Sequence, residues 1–240
     1  MSILRRAIVN AMHAMRFHAY VWRPERTDHA RILYTAREQA VNHVVDVGAN
    51  TGQFAMQLLE HGYRGRITSF EPLREAHATL VRNAAKHSDW SIADRCAIGA
   101  SNGSMNMNVS SNSVSSSLLS MAQIHLDSAP GSAVVANEEV PVRTLDDAIG
   151  AQPEEARLLL KLDTQGFEFQ VLAGAAESLK RCVVLVIEVS LVSLFDGQPL
   201  FAQVVPRLTS LGFTVVDILP GFQNPKNGRL LQVDLVAVRI

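Results

Sequence analysis

The chain has 240 residues, of which 48% are hydrophobic and 19% charged, and a formal net charge of −1. This composition can bury a core and excludes a disordered chain, and the charge gives no general reason to expect nucleic acid or an anionic membrane as partner. Cys96 and Cys182 match no zinc spacing and indicate no disulfide framework. No segment has the apolar length of a membrane span, and Asn10 and His13 interrupt the N-terminal apolar run. We therefore expect a soluble, cytoplasmic protein.

Residues 1–42 are predicted to form an N-terminal helical extension of one or two helices that precedes the first core strand. Residues 1–40 carry seven arginines against three acidic residues. Arg5, Arg6 and Arg16 leave two interpretations open. The first helix lies on an anionic membrane, or it packs on the domain or on a second subunit of a homo-oligomer.

From residue 43 to residue 240, apolar runs alternate with segments of helical periodicity. Several runs are continuous in Val, Ile and Leu, which is typical of strands buried on both faces. The alternation favours a doubly wound α/β domain. A polar, turn-rich connection between the last two strands predicts that they pair antiparallel at the sheet edge. The predicted strands are 43–47, 66–70, 91–98, 158–162, 183–187, 214–218 and 231–238, and the predicted helices are 53–61, 73–87, 167–180 and 201–211.

Residues 101–137 are dense in Ser, Asn and Gly and can bury little apolar surface. Apart from a short strand at 105–109, the segment is predicted to be a mobile insertion. A long loop in a compact domain is often a lid or a binding loop, and a plain surface insertion is the alternative. Residues 112–117 carry hydroxyl and amide groups that suit a polyol. His125 is a candidate base that reaches the site when the loop closes, or else a solvated side chain.

The stretch HVVDVGANTGQF (43–54) joins a strand to a helix through a glycine-flanked turn. Such turns hold nucleotide-type ligands, because small residues let a ligand approach the backbone and the helix N-terminus offers free N–H groups. The G-x-G-x-x-G dinucleotide fingerprint is not matched, since Asn50 replaces its middle glycine, and the Gly-Lys-Ser/Thr of a P-loop is absent. The spacing of Asp46, Gly48 and Gly52 resembles motif I of S-adenosylmethionine (SAM) methyltransferases.

Glu71 ends the second strand in the sequence SFEP, about 20 residues beyond the glycine turn, as an adenosine site requires. A carboxylate there can accept hydrogen bonds from both ribose hydroxyls. NAD sites use the same acid, so Glu71 indicates an adenosine ligand rather than a particular one. The third strand ends at Cys96-Ala97-Ile98-Gly99, where a class I fold would bring backbone against the adenine.

The ordered set DVGANTGQF, SFEP, CAIGAS, VPVRTLDD, LLLKLDTQGFEFQVLAGA and VIEVS resembles the FkbM-like family of SAM-dependent O-methyltransferases over roughly residues 40–240. The resemblance implies a Rossmann-like class I methyltransferase fold, with helices on both faces of a mostly parallel seven-stranded sheet whose last strand is antiparallel. It implies SAM as cofactor. Its methionine part would lie among Asp46, Gly48, Asn50 and Gly52, its ribose at Glu71, and its adenine beside Cys96 and Ala97.

The family motif after the fourth core strand often reads D-V-E-G, and this chain departs from it with Asp163-Thr164-Gln165-Gly166. A metal or proton role of the family's acid therefore does not carry over to Gln165.

A hydroxyl is a poor nucleophile at neutral pH, so its methylation needs a base or a metal near the methyl donor. Asp163 and Glu188 end the fourth and fifth core strands and should face the ligand crevice. Asp163 is the first candidate, as general base or as ligand of a divalent metal such as Mg²⁺. Its alternative is a carboxylate that orients the SAM amino group. Glu188 is the second candidate, with an ion pair to Lys161 as its alternative. Glu168, in the first turn of the next helix, is assigned to the helix dipole.

These features predict an enzyme that methylates a hydroxyl, most specifically of a sugar in a glycolipid, polysaccharide or glycosylated natural product. The sugar follows only from the family resemblance and the polar loop. Two alternatives stay open, a hydroxyl on a polyketide-type scaffold and a non-catalytic SAM-binding protein of regulation or assembly. The lack of a D/N-P-P-Y/F motif and of a basic, aromatic-rich strip argues against nucleic acid as partner.

Overall fold

The structure, a computed structural model, describes residues 27–112 and 115–240. Arg5, Arg6 and Arg16, with most of the predicted N-terminal extension, lie outside the described residues. The strands in chain order are β1 (His43–Val47), β2 (Arg66–Phe70), β3 (Trp90–Ile92), β4 (Ala97–Ile98), β5 (Gly103–Ser110), β6 (Val134–Arg143), β7 (Leu158–Leu162), β8 (Cys182–Ser190), β9 (Phe213–Pro220) and β10 (Gln232–Arg239). The α-helices are α1 (Asp28–Glu38), α2 (Gln53–Glu60), α3 (Arg74–Ala84), α4 (Gln123–Ser128), α5 (Leu145–Ile149), α6 (Glu168–Ala173), α7 (Ala176–Arg181) and α8 (Phe201–Ser210).

Seven strands form the main sheet in the spatial order β3-β2-β1-β7-β8-β10-β9. The neighbouring strands from β3 to β8 pair in parallel, whereas β10 is antiparallel to both β8 and β9. The predicted antiparallel pairing of the last two strands is therefore confirmed, with β9 at the edge. A mostly parallel seven-stranded sheet with an inserted antiparallel last strand confirms the predicted class I methyltransferase fold.

The main sheet is covered on both faces, as its sequence pattern predicts. All five residues of β1 and of β7 are buried. On one face, Leu159 and Val186 pack with side chains of α1, α2 and α3. On the other face, Leu160 and Ile187 pack with α5, α6, α7 and α8. Alternate residues of one strand thus enter two different cores, which is why most positions of β1 and β7 are apolar.

Two predicted elements are each divided in the structure. The predicted strand 91–98 becomes β3 and β4, because the chain leaves the main sheet after Ala93, whose N–H donates to the Ser69 carbonyl at 3.1 Å. The predicted helix 167–180 becomes α6 and α7, which are separated at Gly174. A Cβ at Gly174 would lie 2.0 Å from the Gly99 carbonyl oxygen, so this close approach of two backbones requires glycine there.

Much of the segment 101–137 is folded onto the domain. The short strand predicted at 105–109 is present within β5, which pairs antiparallel with β6, and β4 pairs with β6 from the other side. Met107 and Val140 pack with Leu73 in a small apolar cluster beside the main sheet. The mobility of the segment stays a prediction. Among the described residues, no helix has the length and apolar character needed to cross a membrane.

Candidate active site

A cavity of about 310 Å³ opens at the carboxyl ends of β1, β2 and β7. Its lining divides into two ends by strand order. The turn end lies toward β2 and includes Gly48, Ala49, Asn50, Glu71, Ala97 and Met107. The acid end extends from β1 across β7 to β10 and includes His29, Asp46, Phe54, Lys161, Asp163 and Asp234.

The glycine turn after β1 has a backbone that only particular residues can adopt. Gly48, Asn50 and Gly52 have φ values of 80°, 48° and 92°, all in the left-handed region. A Cβ at Gly48 would lie 1.9 Å from the Asp163 carbonyl oxygen, and a Cβ at Gly52 would lie 2.5 Å from Trp90. The glycines are therefore required by packing inside the protein.

Glu71 fastens this turn to the end of β2. Its Oε2 accepts from the Asn50 N–H and its Oε1 from the Leu73 N–H, both at 2.8 Å. Burial raises the pKa of Glu71 to about 7, although the two backbone N–H groups oppose the shift. Each carboxylate oxygen has a second acceptor position. Glu71 can therefore hold the turn and still accept hydrogen bonds from a diol in the cavity.

Asp46 is a fully buried acid beside the turn. Its Oδ2 accepts from the Ser69 hydroxyl at 3.5 Å, and its Oδ1 has no hydrogen-bond partner among the described residues. Burial raises the pKa of Asp46 to about 6. In the β1–β7 register Asp46 lies opposite Lys161, so the ammonium group balances part of its charge.

Lys161 and Asp163 form a salt bridge at the acid end, with 2.7 Å between Nζ and Oδ2. The ammonium also lies 5.6 Å from the centre of the Phe54 ring. Burial alone would lower the pKa of Lys161, but Asp163 and Asp46 raise it above its ordinary value. Burial would raise the pKa of Asp163, yet the attraction of Lys161 lowers it. The structure thus pairs Lys161 with Asp163, and the predicted alternative of an ion pair with Glu188 is wrong.

Gln165 joins the two acids that the sequence singled out. Its Nε2 donates to Asp163 Oδ1 at 2.9 Å and to Glu188 Oε2 at 2.6 Å, while Gln232 Nε2 donates to the same Glu188 oxygen at 2.8 Å. Burial, followed by the charges of Asp163 and Asp234, raises the pKa of Glu188 well above its ordinary value. Glu188 is not part of the cavity lining. It lies behind Gln165, whose amide occupies the position of the family's acid.

Glu168 has a structural role at the start of α6. Its Oε1 accepts from the Thr164 N–H at 3.0 Å, the Thr164 hydroxyl at 3.0 Å and the Gly166 N–H at 3.1 Å. These contacts shape the loop that carries Gln165, whose φ is 54°.

The structure does not bring His125 to the cavity. The side chain is buried in α4, with ring centres 5.1 Å from Phe195 and 5.8 Å from Phe222. Neither ring nitrogen has a hydrogen-bond partner among the described residues, and burial lowers the pKa of the imidazole. The expectation of a loop histidine that is solvated or reaches the site is therefore wrong for this structure, because aromatic side chains of two distant loops cover it.

Three residues that line the acid end were missed by sequence reasoning. His29 of α1 has its ring centre 5.9 Å from that of Phe54, and burial together with His61 lowers the pKa of His29. Asp234 of β10 also lines the cavity, and burial raises its pKa to about 6. An acid inside an otherwise apolar strand was a signal for Asp234. His29 and Phe54 carried no such signal, because each is compatible with an ordinary amphipathic helix.

The donor set does not fit a metal site. Within residues 27–112 and 115–240, no group of three or more His, Cys, Asp or Glu side chains could hold a metal ion. Both Asp163 oxygens already accept hydrogen bonds, from Lys161 and from Gln165. The expected role of Asp163 as a metal ligand has no support from these contacts.

The strand order and the glycine turn define a class I methyltransferase architecture. The Methyltransferase FkbM domain family matches residues 46–215, and the chain belongs to this family of methyltransferases, as its motifs predicted. The chain is 27% identical over 197 residues to "Methyltransferase 1" of Beauveria bassiana, covering 76% of each protein.

Solved structures of low sequence identity are also similar. TehB of Haemophilus influenzae has 10% identity, covers 90% of this chain and 63% of its own, and gives a TM-score of 0.49. The 1,6-didemethyltoxoflavin-N1-methyltransferase of Burkholderia thailandensis was solved with S-adenosylhomocysteine and 1,6-didemethyltoxoflavin. It has 16% identity to this chain, the match covers 98% of this chain and 87% of its own, and the TM-score is 0.47. The fold class of this chain stands on its own strand order rather than on these likenesses.

Proposed function

We propose that this chain is a SAM-dependent O-methyltransferase that transfers a methyl group to a hydroxyl of a sugar in a glycolipid, polysaccharide or glycosylated natural product. The observation that carries the proposal is one cavity with a diol-accepting carboxylate at one end and several acids at the other. The carboxylates at the acid end are the candidates for removing the proton of the acceptor hydroxyl.

The lining residues support SAM as the methyl donor, because a group suited to each part of SAM is present. Ala97 and Met107 offer an apolar surface for the adenine, and Glu71 has acceptor positions for the ribose hydroxyls. Asp46 and Asp163 suit the cationic ammonium and sulfonium groups. When bound, SAM supplies an electrophilic methyl group on its sulfonium sulfur. A dinucleotide would instead bring an anionic pyrophosphate, which these acids would repel.

The hydroxyl acceptor is supported by the carboxylates at the acid end, because a hydroxyl must lose its proton as the methyl group arrives. The sugar is supported more weakly, by the family resemblance and by the polar segment beside the cavity. Ser116 and Leu118 of that segment line the cavity, and the Ser116 hydroxyl accepts from the Ser110 N–H at 2.9 Å.

Calorimetric titration with SAM, S-adenosylhomocysteine and NAD tests the cofactor. We expect micromolar binding of the first two and none of NAD. Glu71→Ala should weaken the binding of SAM and of S-adenosylhomocysteine by about 100-fold each, which corresponds to the loss of two hydrogen bonds. Glu75→Ala is the matched control, since Glu75 is exposed on α3. If Glu71→Ala binds as tightly as the parent, the ribose assignment is wrong.

Radiolabelled SAM with a panel of methyl glycosides and phenolic polyketides then tests the acceptor. Methyl ether formation on a glycoside supports the proposal. Turnover on the phenols alone would move the assignment to a polyketide-type scaffold. Tight SAM binding with no S-adenosylhomocysteine formed from any acceptor would favour a sensor.

A further inference from the structure

Asp234 is the cavity-lining acid whose oxygens are least committed. No hydrogen bond or ion pair engages its side chain among the described residues, although it lies inside β10 and lines the cavity. Resting on the proposed function, we propose that the acceptor enters the acid end between α1 and β10, and that Asp234 takes the proton of the acceptor hydroxyl.

The other acids of the site each make hydrogen bonds inside the protein, and the proposed function assigns three of them to SAM. Asp163 has both oxygens bound by an ammonium and an amide. Glu71 holds two backbone N–H groups at the opposite end. Glu188 is outside the cavity lining and accepts from two amides, and Asp46 accepts from the Ser69 hydroxyl and is proposed to face the cationic part of SAM. Among the described lining residues, Asp234 is the carboxylate with neither oxygen in a hydrogen bond or an ion pair, so both of its oxygens are available to an acceptor hydroxyl.

The surroundings of Asp234 set the pKa of its carboxyl group above the ordinary value for aspartate but below neutral pH. Burial raises its pKa to about 6, Lys161 opposes the rise, and Asp163 and Asp28 add to it. Glu188, its partner in the β8–β10 register, has a pKa raised in turn by Asp234. A carboxylate with a pKa near 6 is deprotonated at neutral pH yet is a stronger base than an exposed aspartate, as general base catalysis requires.

The same surroundings restrict the acceptor. The rings of His29 and Phe54 line this end of the cavity, and Asp46, Asp163 and Asp234 bring negative charge to it. A phosphate or carboxylate next to the reacting hydroxyl would be repelled. The acceptor is therefore a hydroxyl compound that is uncharged or cationic beside the methylated position, such as a neutral glycoside.

The proposed step balances in atoms and charge. The acceptor oxygen forms a bond to the methyl carbon as the bond between that carbon and the sulfonium sulfur breaks. The hydroxyl proton passes to an Asp234 oxygen. The products are the methyl ether, S-adenosylhomocysteine and a neutral Asp234, which returns its proton to solvent.

The test compares Asp234→Asn with Asp234→Glu and with Asp163→Asn, and uses Asp196→Asn as control because Asp196 is exposed and outside the cavity lining. With the glycoside that turns over best, Asp234→Asn should lower kcat by about 100-fold or more, while S-adenosylhomocysteine binds within about twofold of the parent. Asp234→Glu should recover part of kcat. The acidic limb of the pH profile, near pH 6 in the parent, should be lost in Asp234→Asn. Asp163→Asn should weaken S-adenosylhomocysteine itself.

A second readout needs no acceptor. A carboxylate that faces the transferred methyl group also attracts the sulfonium. At pH 8, Asp234→Asn should therefore weaken the binding of SAM by about tenfold, whereas the binding of S-adenosylhomocysteine, whose thioether is uncharged, should be unaffected. An unchanged ratio of the two affinities, kcat within about threefold of the parent, or equal loss of both ligands would each overturn the proposal. A parent protein that binds neither ligand would instead contradict the proposed function.

Discussion

The glycine turn (residues 47–52) and the acid cluster (Asp46, Asp163, Glu188 and Asp234 around Lys161) lie in one site but are held in different ways. The turn is held by backbone hydrogen bonds to the end of β2 and by the Glu71 carboxylate. The N–H groups of Gly48 and Ala49 both donate to the Phe70 carbonyl, at 3.1 and 2.9 Å. The acid cluster is assembled from side chains on β1, β7, β8 and β10 and on the loop after β7, and it depends on the register between strands.

The turn and the acid cluster therefore differ in how their polar groups are stabilised in the folded protein. The N–H groups of residues 48–52 all have acceptors within the protein, whereas Asp46, Glu188 and Asp234 all have pKa values raised by burial. Ionised acids with raised pKa values destabilise the folded state. A cationic ligand would relieve that cost. The turn therefore has its backbone conformation without a ligand. The acid cluster carries excess negative charge that a cationic ligand would balance.

The largest expected effect breaks the turn. In Gly48→Ala, the new Cβ would overlap the Asp163 carbonyl oxygen at a φ of 80°. Because that oxygen belongs to backbone, it cannot move aside cheaply, and we expect a loss of about 4 kcal/mol in the free energy of unfolding. Urea denaturation followed by circular dichroism measures it.

Gly103→Ala is the matched control for the turn. A Cβ there would meet nothing within 4 Å, and Gly103 has no positive φ. Its expected change is within about 0.5 kcal/mol. Equal midpoints for the two variants would mean that the turn can rearrange, and the contrast between the two regions would fail.

The same contrast explains what could be predicted from the sequence. The turn and Glu71 were predictable, because a glycine spacing and a strand-end acid act over a few residues. β1, β2 and β7 were also predictable, since each is a short run rich in apolar or β-branched residues.

The acid cluster and the position of His125 could not be predicted in the same way. Asp234 joins the site only because β10 is inserted next to β8, which no local pattern states. His125 is covered by Phe195 and Phe222, which lie about 70 and 97 residues further along the chain. Gln165 was noted as a departure from the family motif, but its contacts with two carboxyl groups depend on the β7–β8 register.

The second prediction measures the electrostatic strain at Asp46. Its pKa is raised from 3.8 to about 6, so the protonated form is favoured more in the folded than in the unfolded state. The stability that this group contributes is complete below pH 4 and is lost as the pH rises through 6. The asparagine of Asp46→Asn does not ionise, so the variant does not lose this stability. The unfolding free energy of Asp46→Asn minus that of the parent should therefore rise by about 3 kcal/mol between pH 4 and pH 8.

Urea midpoints at closely spaced pH values test this gain on the apo-protein. Asp46 is fully buried, so solvent screening does not reduce the expected effect. Stability curves of parent and variant that run parallel over this pH range would show that Asp46 carries no strain. Saturating SAM should narrow the gap at pH 8, because its cationic groups would favour the ionised acid.

The smallest expected effect concerns the amide that joins two carboxyl groups. Gln165→Glu replaces a donor to Asp163 and Glu188 by a third carboxyl group, which when ionised can donate to neither. We expect a loss of about 2 kcal/mol in unfolding free energy at pH 8, and a smaller loss at pH 5, where a proton can restore one hydrogen bond. Gln170→Glu, exposed on α6, makes the same chemical change outside the cluster and should alter stability by less than about 0.5 kcal/mol. If Gln165→Glu is as stable as the parent at pH 8, a proton or a cation must already be available between these carboxyl groups. The cluster would then accommodate a glutamate at position 165 as readily as the glutamine. The proposed difference in stability between the glycine turn and the acid cluster would not hold at this residue.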